Sequence, residues 1–262
     1  MLRFYTMIRY LFIICLGLQL TNTAQAYSPT RKVGYGGETW SLADIFPAGP
    51  NRDLAAAAAS GDLPGIDRAI TAGADVNFRG THDLTILWWA SWDQNLRGFT
   101  RLLELGANPD VVPARNNPLM INVSSAFWKP AFLKAALAKG GNPNLPNESG
   151  RVPLSEAMQQ GTREQVDLLL AAGAKVNRDG GIDASVPIFS AVMARRFDYV
   201  LLLLEKGADP AVRNANGRDL AAMIGSIPFD PNSEHYVWRE RVIRFLRTKG
   251  IEARPPPKEG KR

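Results

Sequence analysis

The chain has 262 residues and a formal net charge of +6, from 31 Lys and Arg against 25 Asp and Glu. The excess lies from Ser233 onward, where nine basic side chains accompany four acidic ones, whereas residues 27–232 carry 20 against 21. The main part of the chain has no sustained basic stripe, recognition-helix pattern or aromatic RNA-binding motif, so nucleic acid is not an expected partner.

Residues 1–26 have the pattern of a secretory signal peptide. The apolar core is short for a bilayer span, which needs about 20 residues, so cleavage is the prediction and a retained membrane anchor the alternative. The features are Arg3 and Arg9 at the start, a ten-residue apolar run over 11–20, and the small-x-small site Ala24-Gln25-Ala26.

Residues 1–26 also indicate the cellular compartment of the mature protein. Cys15 is the one cysteine of the chain, and cleavage after Ala26 removes it, so the mature protein tolerates an oxidising compartment without a disulfide. We expect a bacterial periplasm. The alternative is a protein secreted by a eukaryotic cell, in which the Asn-x-Ser triplets at Asn122 and Asn147 would be glycosylation sites.

Residues 27–50 form a polar leader rich in Gly and Pro, with one short amphipathic piece. A stack of helices must cover its open apolar end, and this piece is placed to do so. The side chains expected to cap the first helix pair are Trp40, Leu42, Ile45 and Phe46.

A glycine recurs through residues 51–250 at intervals of 33 and 34 residues. The most regular unit, 151–177, predicts one helix from Pro153 to Gly161 and a second from Thr162 to Ala172. Neither helix has enough apolar surface to be stable alone, so the units must stack on one another. The recurring glycines are Gly73, Gly106, Gly140, Gly173 and Gly207.

This period, built from a turn and two helices, resembles the ankyrin repeat over about residues 50–250. The resemblance implies an all-α solenoid of about five to six helix-turn-helix repeats with finger loops. We expect a capping helix over 233–249 within this domain, and a disordered basic tail over 251–262. It further implies a module, monomeric when free, that binds a protein partner through its finger loops and inner helices.

Alignment of the repeats on their glycines predicts which side chains meet that partner. Trp88, Trp92 and Asp93 fall toward the concave face, whereas Trp89 falls on the core side. In the irregular third repeat, Phe127 and Trp128 either pack between helices or extend an aromatic patch with Trp92. The other candidates, on finger loops and inner helices, are His82, Glu148, Arg151, Gln159, Gln160, Ile182, Asp183 and Met193.

The sequence contains no pattern typical of an active site. His82 and His235 belong to distant repeats, the mature chain has no cysteine, and there is no nucleophile elbow, phosphate loop or zinc-type spacing. We therefore expect a protein that is not an enzyme and that has no catalytic residues, cofactor or metal site.

The layout also resembles a group of periplasmic bacterial ankyrin proteins. The shared features are a signal peptide, a Trp-containing leader near Ala43-Asp44-Ile45-Phe46-Pro47, and a closing helix over 233–251. Members include immunity proteins encoded with type VI secretion lipase effectors, so the resemblance implies that the chain binds and neutralises a secreted phospholipase. The alternative is a periplasmic scaffold or stress-protection protein, like the ankyrin proteins found beside bacterial catalases.

The basic outer face of the closing helix leaves two interpretations. We expect a capping helix with a solvated outer surface, and so no membrane partner. The alternative is a docking strip for an acidic partner or for anionic lipid, which predicts liposome binding that depends on salt.

Overall fold

The computed structural model describes residues 33–35, 38–112, 123–124, 128–177, 186–227 and 232–253. The predicted signal peptide, residues 113–122 and 125–127 of the third repeat, and most of the predicted tail lie outside these residues. The elements are β1 (Val33–Tyr35), β2 (Glu38–Trp40), α1 (Leu42–Ile45), α2 (Pro50–Ser60), α3 (Leu63–Thr71), a 3-10 turn (Thr81–Asp83), α4 (Ile86–Trp92), α5 (Leu96–Glu104), α6 (Pro130–Ala138), α7 (Pro153–Gln160), α8 (Arg163–Ala171), α9 (Pro187–Met193), α10 (Phe197–Glu205), α11 (Leu220–Ser226) and α12 (Glu234–Thr248).

The helices form successive pairs that stack side by side, which confirms the predicted all-α solenoid. In the pairs that the structure describes in full, an inner helix is followed by an outer one, and neighbouring inner helices are in contact, as α2 is with α4 and α7 with α9. Because every pair lends its apolar face to its neighbours, one continuous core runs from Leu42 to Leu246. No helix among the described residues is long and apolar enough to cross a membrane.

The recurring glycines have a common backbone role. Each follows an outer helix and has φ between 87° and 93°. Glycine adopts this left-handed conformation without the strain that a Cβ atom causes, so it ends the helix and turns the chain toward the next repeat. The period seen in the sequence is therefore the period of the helix C-termini.

The leader forms a small cap at the first end of the stack. β1 pairs antiparallel with β2, a hairpin that the sequence analysis missed although Gly36-Gly37 is a two-residue turn signal. Leu42, Ile45 and Phe46 are buried, and the Phe46 ring meets Trp89 edge to face with 6.0 Å between centroids. These side chains cover the apolar end of the first two helix pairs.

A ladder of asparagine side chains joins successive turns. Asn77 Oδ1 accepts a hydrogen bond from the backbone N–H of Asn108 at 2.8 Å, and its Nδ2 donates to the carbonyl of Gly106 at 3.1 Å. Asn144 and Asn177, at the same position of the third and fourth repeats, make both bonds to the turns that follow theirs. Each asparagine therefore ties its own turn to the following one.

Asp110 occupies the equivalent rung between the second and third repeats. Its carboxylate accepts from the N–H of Asn142 at 2.8 Å, but it has no N–H with which to donate. Asp110→Asn should therefore raise the free energy of unfolding by about 1 kcal/mol, through a new bond to the carbonyl of Gly140. Urea denaturation measures the change, and Asp75→Asn, whose side chain accepts from the N–H of Asn77 within its own turn, is the control. Equal changes of the unfolding free energy in the two variants would show that Asp110→Asn gains no hydrogen bond between repeats.

Candidate protein-binding surface

The inner helices are accessible along one edge. Counted from the glycine that ends each repeat, the residues eighteen positions earlier are Ala55, Trp88, Ser155 and Phe189, and all four are buried. Four positions later Ala59 of the first repeat is still buried, whereas Trp92 and Gln159 are half-buried and Met193 is 58% exposed. We call Trp92, Gln159 and Met193, together with the exposed Gln160 that follows Gln159, the inner row.

The structure corrects the predicted position of Trp88. Its side chain is 1% exposed and lies in the core, so its prediction as a partner contact is wrong. The physical reason is that neighbouring inner helices pack together along this row, where Ala55, Ser155 and Phe189 are also fully buried. The predicted core position of Trp89 is confirmed, since it is also 1% exposed.

Trp92 is held by two other indoles. Its ring stacks on Trp88 with 5.3 Å between centroids and a 15° angle between planes. Trp128 meets the same ring edge to face at 5.8 Å. Trp128 is itself 5% exposed, and its Nε1 donates to the carbonyl of Ser91 at 2.8 Å. Trp128 therefore both packs between helices and extends the aromatic cluster, which fixes the half-buried ring of Trp92.

Gln165 holds this cluster from the fourth repeat, and the sequence analysis did not identify it. The side chain is fully buried, and its Nε2 donates to the carbonyls of Val123 at 2.9 Å and Trp128 at 3.3 Å. Its Oε1 accepts from the N–H of Thr162 at 2.8 Å, which completes a capping box at the start of α8. The Thr-x-x-Gln pattern indicated the cap, but not the bonds to the irregular third repeat.

The finger loop before α7 is stiffened by its own side chains. Asn147 Oδ1 accepts from the backbone N–H of Arg151 at 2.8 Å and from the hydroxyl of Ser149 at 2.9 Å. Arg151 Nη1 donates to Glu156 at 2.9 Å, so this guanidinium is engaged inside the repeat. Glu148 is exposed on the loop. Of the two predicted contacts on this finger, Glu148 is therefore the accessible one.

Glu156 is a buried acid on α7. Burial raises the pKa of its carboxyl above the ordinary value, against the opposing hydrogen bond and charge of Arg151. Since the folded state holds this proton more tightly than the unfolded chain does, the contribution of Glu156 to stability falls as the pH rises above about 4. The group is less destabilising when protonated.

Glu156→Gln should remove this dependence. The unfolding free energy of the variant, relative to the wild type, should rise between pH 4.5 and 7.5, because the neutral amide has no proton to lose. Urea denaturation across that range measures it, with Glu148→Gln as the matched change on an exposed side chain. A constant difference between variant and wild type would show that Arg151 fully compensates the buried charge.

The finger of the second repeat has an unusual backbone. His82 and Asp83 both have positive φ, 61° and 58°, where the fingers before α7 and α11 use Gly150 and Gly217. Two consecutive side chains in this region cost energy, and such strain is characteristic of binding loops. The exposed ring of His82 packs on the ring of Trp40, with 4.9 Å between their centroids. A residue of the leader therefore supports this predicted contact.

The remaining candidates divide between described and undescribed parts of the chain. Asp93 is half-buried at the end of α4, and Gln160 is exposed at the end of α7. Phe127, Ile182 and Asp183 lie outside the described residues. Within the described residues, no group of three or more His, Cys, Asp or Glu side chains is placed to hold a metal ion.

A sequence profile of ankyrin repeats, in three copies, matches residues 119–214. This chain contains ankyrin repeats. An ankyrin repeat domain from Acinetobacter baumannii superposes with a TM-score of 0.63 over 76% of this chain and 98% of its own, at 21% identity. The ankyrin domain of Bcl-3 superposes with a TM-score of 0.61, also at 21% identity, over 76% of this chain and 86% of its own. The resemblance predicted from the glycine period is confirmed.

Curated relatives match through part of their length. Protein PhlB of Serratia liquefaciens is 35% identical over 130 residues, 49% of this chain and 56% of PhlB. A putative palmitoyltransferase of Danio rerio, ZDHHC13, is 29% identical over 162 residues, 60% of this chain and 25% of that protein. The chain thus spans between a quarter and just over half of these relatives. Its ankyrin repeats make it a protein-protein interaction module.

Proposed function

We propose that this chain is a periplasmic immunity protein that uses the inner row and the finger loops to bind a secreted phospholipase and block its activity. The observation that carries the proposal is the setting of Trp92. Its half-buried ring is fixed between Trp88 and Trp128, so it can anchor a partner with little further loss of side-chain freedom.

The other residues of the inner row, on the fourth and fifth repeats, also suit a protein interface. Met193 adds an exposed apolar side chain, and Gln159 and Gln160 add amides that both donate and accept hydrogen bonds. Interfaces combine such an apolar anchor with a polar rim that satisfies the partner's backbone. The inner row therefore fits an extended or convex protein surface.

Three features of the sequence support the choice of partner. The signal-peptide pattern of residues 1–26 supports export, and the Trp-containing leader and closing helix resemble those of the immunity group. The similarity to PhlB of Serratia liquefaciens supports a bacterial setting. An inhibitor seated on the inner row would act by covering the lipase active site or the surface with which the lipase meets its membrane.

The test is a pull-down from bacterial periplasmic extract, with the chain from Tyr27 onward as bait and mass spectrometry of the retained proteins. We expect a secreted lipase held in a 1:1 complex, which loses activity toward a soluble ester. A retained redox enzyme with full activity would instead indicate the scaffold alternative. Trp92→Ala should weaken retention, and Trp238→Ala, on the closing helix, is the matched truncation elsewhere.

A further inference from the structure

The closing helix α12 has a buried side and a strongly basic outer side. Val242, Ile243 and Leu246 are buried, and the helix packs against α10 and α11. The outer side carries exposed residues at helical spacing, which we call the basic strip. The strip consists of Val237, Arg241, Arg244 and Arg247.

The charge of the basic strip is not neutralised by the described part of the chain. The ion pair on α12 joins Arg239 to Glu240, whereas the three arginines of the strip form none with described residues. The guanidinium of Arg241 lies 4.5 Å over the ring of Trp238, and its charge stays at the surface. Residues 233–253, which the structure describes, contain five basic and three acidic side chains, so the helix and its end carry a net positive charge.

We propose that the basic strip docks on the surface of an anionic phospholipid bilayer. The outer side of a single helix is convex, so it offers no groove in which an acidic peptide could be enclosed. A bilayer surface needs no groove and attracts clustered arginines. Val237, 51% exposed beside the arginines, and the ring of Trp238 supply the apolar and aromatic groups that favour the interface between headgroups and acyl chains.

The basic strip and the main anchor of the protein-binding surface lie on different repeats. Trp92 belongs to the second repeat and α12 to the last, so the two surfaces do not share residues. The strip would hold the module at the surface where a lipid-degrading enzyme works. The inference needs only the charge and exposure of α12, so it stands or fails separately from the identity of the protein partner.

The experiment measures binding of the chain from Tyr27 onward to sedimented vesicles of phosphatidylglycerol and phosphatidylcholine. We expect binding that falls steeply with added salt and is absent from pure phosphatidylcholine. Arg244→Gln combined with Arg247→Gln should lower the partition coefficient roughly thirty-fold, from two lost contacts to anionic lipid. These two side chains make no described ion pair, so circular dichroism should show an intact fold.

The matched control is Lys134→Gln combined with Lys206→Gln, which removes the same charge from exposed positions on α6 and after α10. An equal loss of vesicle binding in both double variants would show that the net charge of the protein, and not the basic strip, determines binding. Equal binding to neutral vesicles would overturn the electrostatic docking. Capture of soluble polyglutamate without vesicle binding would assign the strip to an acidic protein instead.

Discussion

Gln165→Glu should lower the free energy of unfolding by about 3 kcal/mol, a large effect for the exchange of one amide for a carboxylate. The amide is fully buried and donates to the carbonyls of Val123 and Trp128. A carboxylate cannot donate, so both of these hydrogen bonds are lost and a charge is placed in the core. The bond from the N–H of Thr162 survives, which confines the loss to the contact with the third repeat.

Urea denaturation at pH 7 measures this change. Glu164→Gln, one residue earlier on the exposed side of α8, is the matched control, with an expected change within about 0.5 kcal/mol. The loss should shrink as the pH is lowered, because the introduced carboxyl group regains a donor when it is protonated. A loss that is the same at every pH would mean that the amide acts through packing and not through its hydrogen bonds.

The regular part of the fold was predictable because each repeat ends with the same backbone requirement. A left-handed residue after every outer helix selects glycine, so Gly73 through Gly207 mark the period in the sequence. Helix bounds followed from capping residues: the closing helix was predicted over 233–249, and the structure places it at Glu234–Thr248 with Ser233 as its N-cap. Both the repeat period and the helix bounds depend on residues that are close together in the sequence.

The binding surface was less predictable because exposure depends on the neighbouring repeats. Trp88 and Trp92 are one helical turn apart and look alike in the sequence, yet Trp88 lies where inner helices meet and Trp92 at their edge. Comparison with Ala55 and Phe189, two apolar residues at the same register, could have indicated a buried row. The bond from Gln165 to Val123 spans 42 residues, and no local pattern encodes it.

Substitution of Trp88 should mainly change stability, whereas substitution of Trp92 should mainly change partner binding. Trp88→Ala should lower the free energy of unfolding by about 3 to 5 kcal/mol, because it leaves a cavity in the core. Trp92→Ala should weaken the complex with the retained partner by about 2 kcal/mol, roughly thirty-fold in Kd, with a smaller loss of stability because its ring is half-buried. Thermal unfolding and calorimetric titration measure the two quantities on the same samples.

Trp88→Phe tests whether the stacking of the ring at position 88 on Trp92 contributes to partner binding. Phenylalanine keeps an aromatic face under Trp92 while removing the indole nitrogen, which has no hydrogen-bond partner among the described residues. If Trp88 acts as the support of Trp92, Trp88→Phe should bind almost as tightly as the wild type. Trp88→Ala should then bind more weakly even at temperatures where it is fully folded. Unchanged affinity in folded Trp88→Ala would show that Trp92 binds without this support, and the contact would then rest on Trp128 alone.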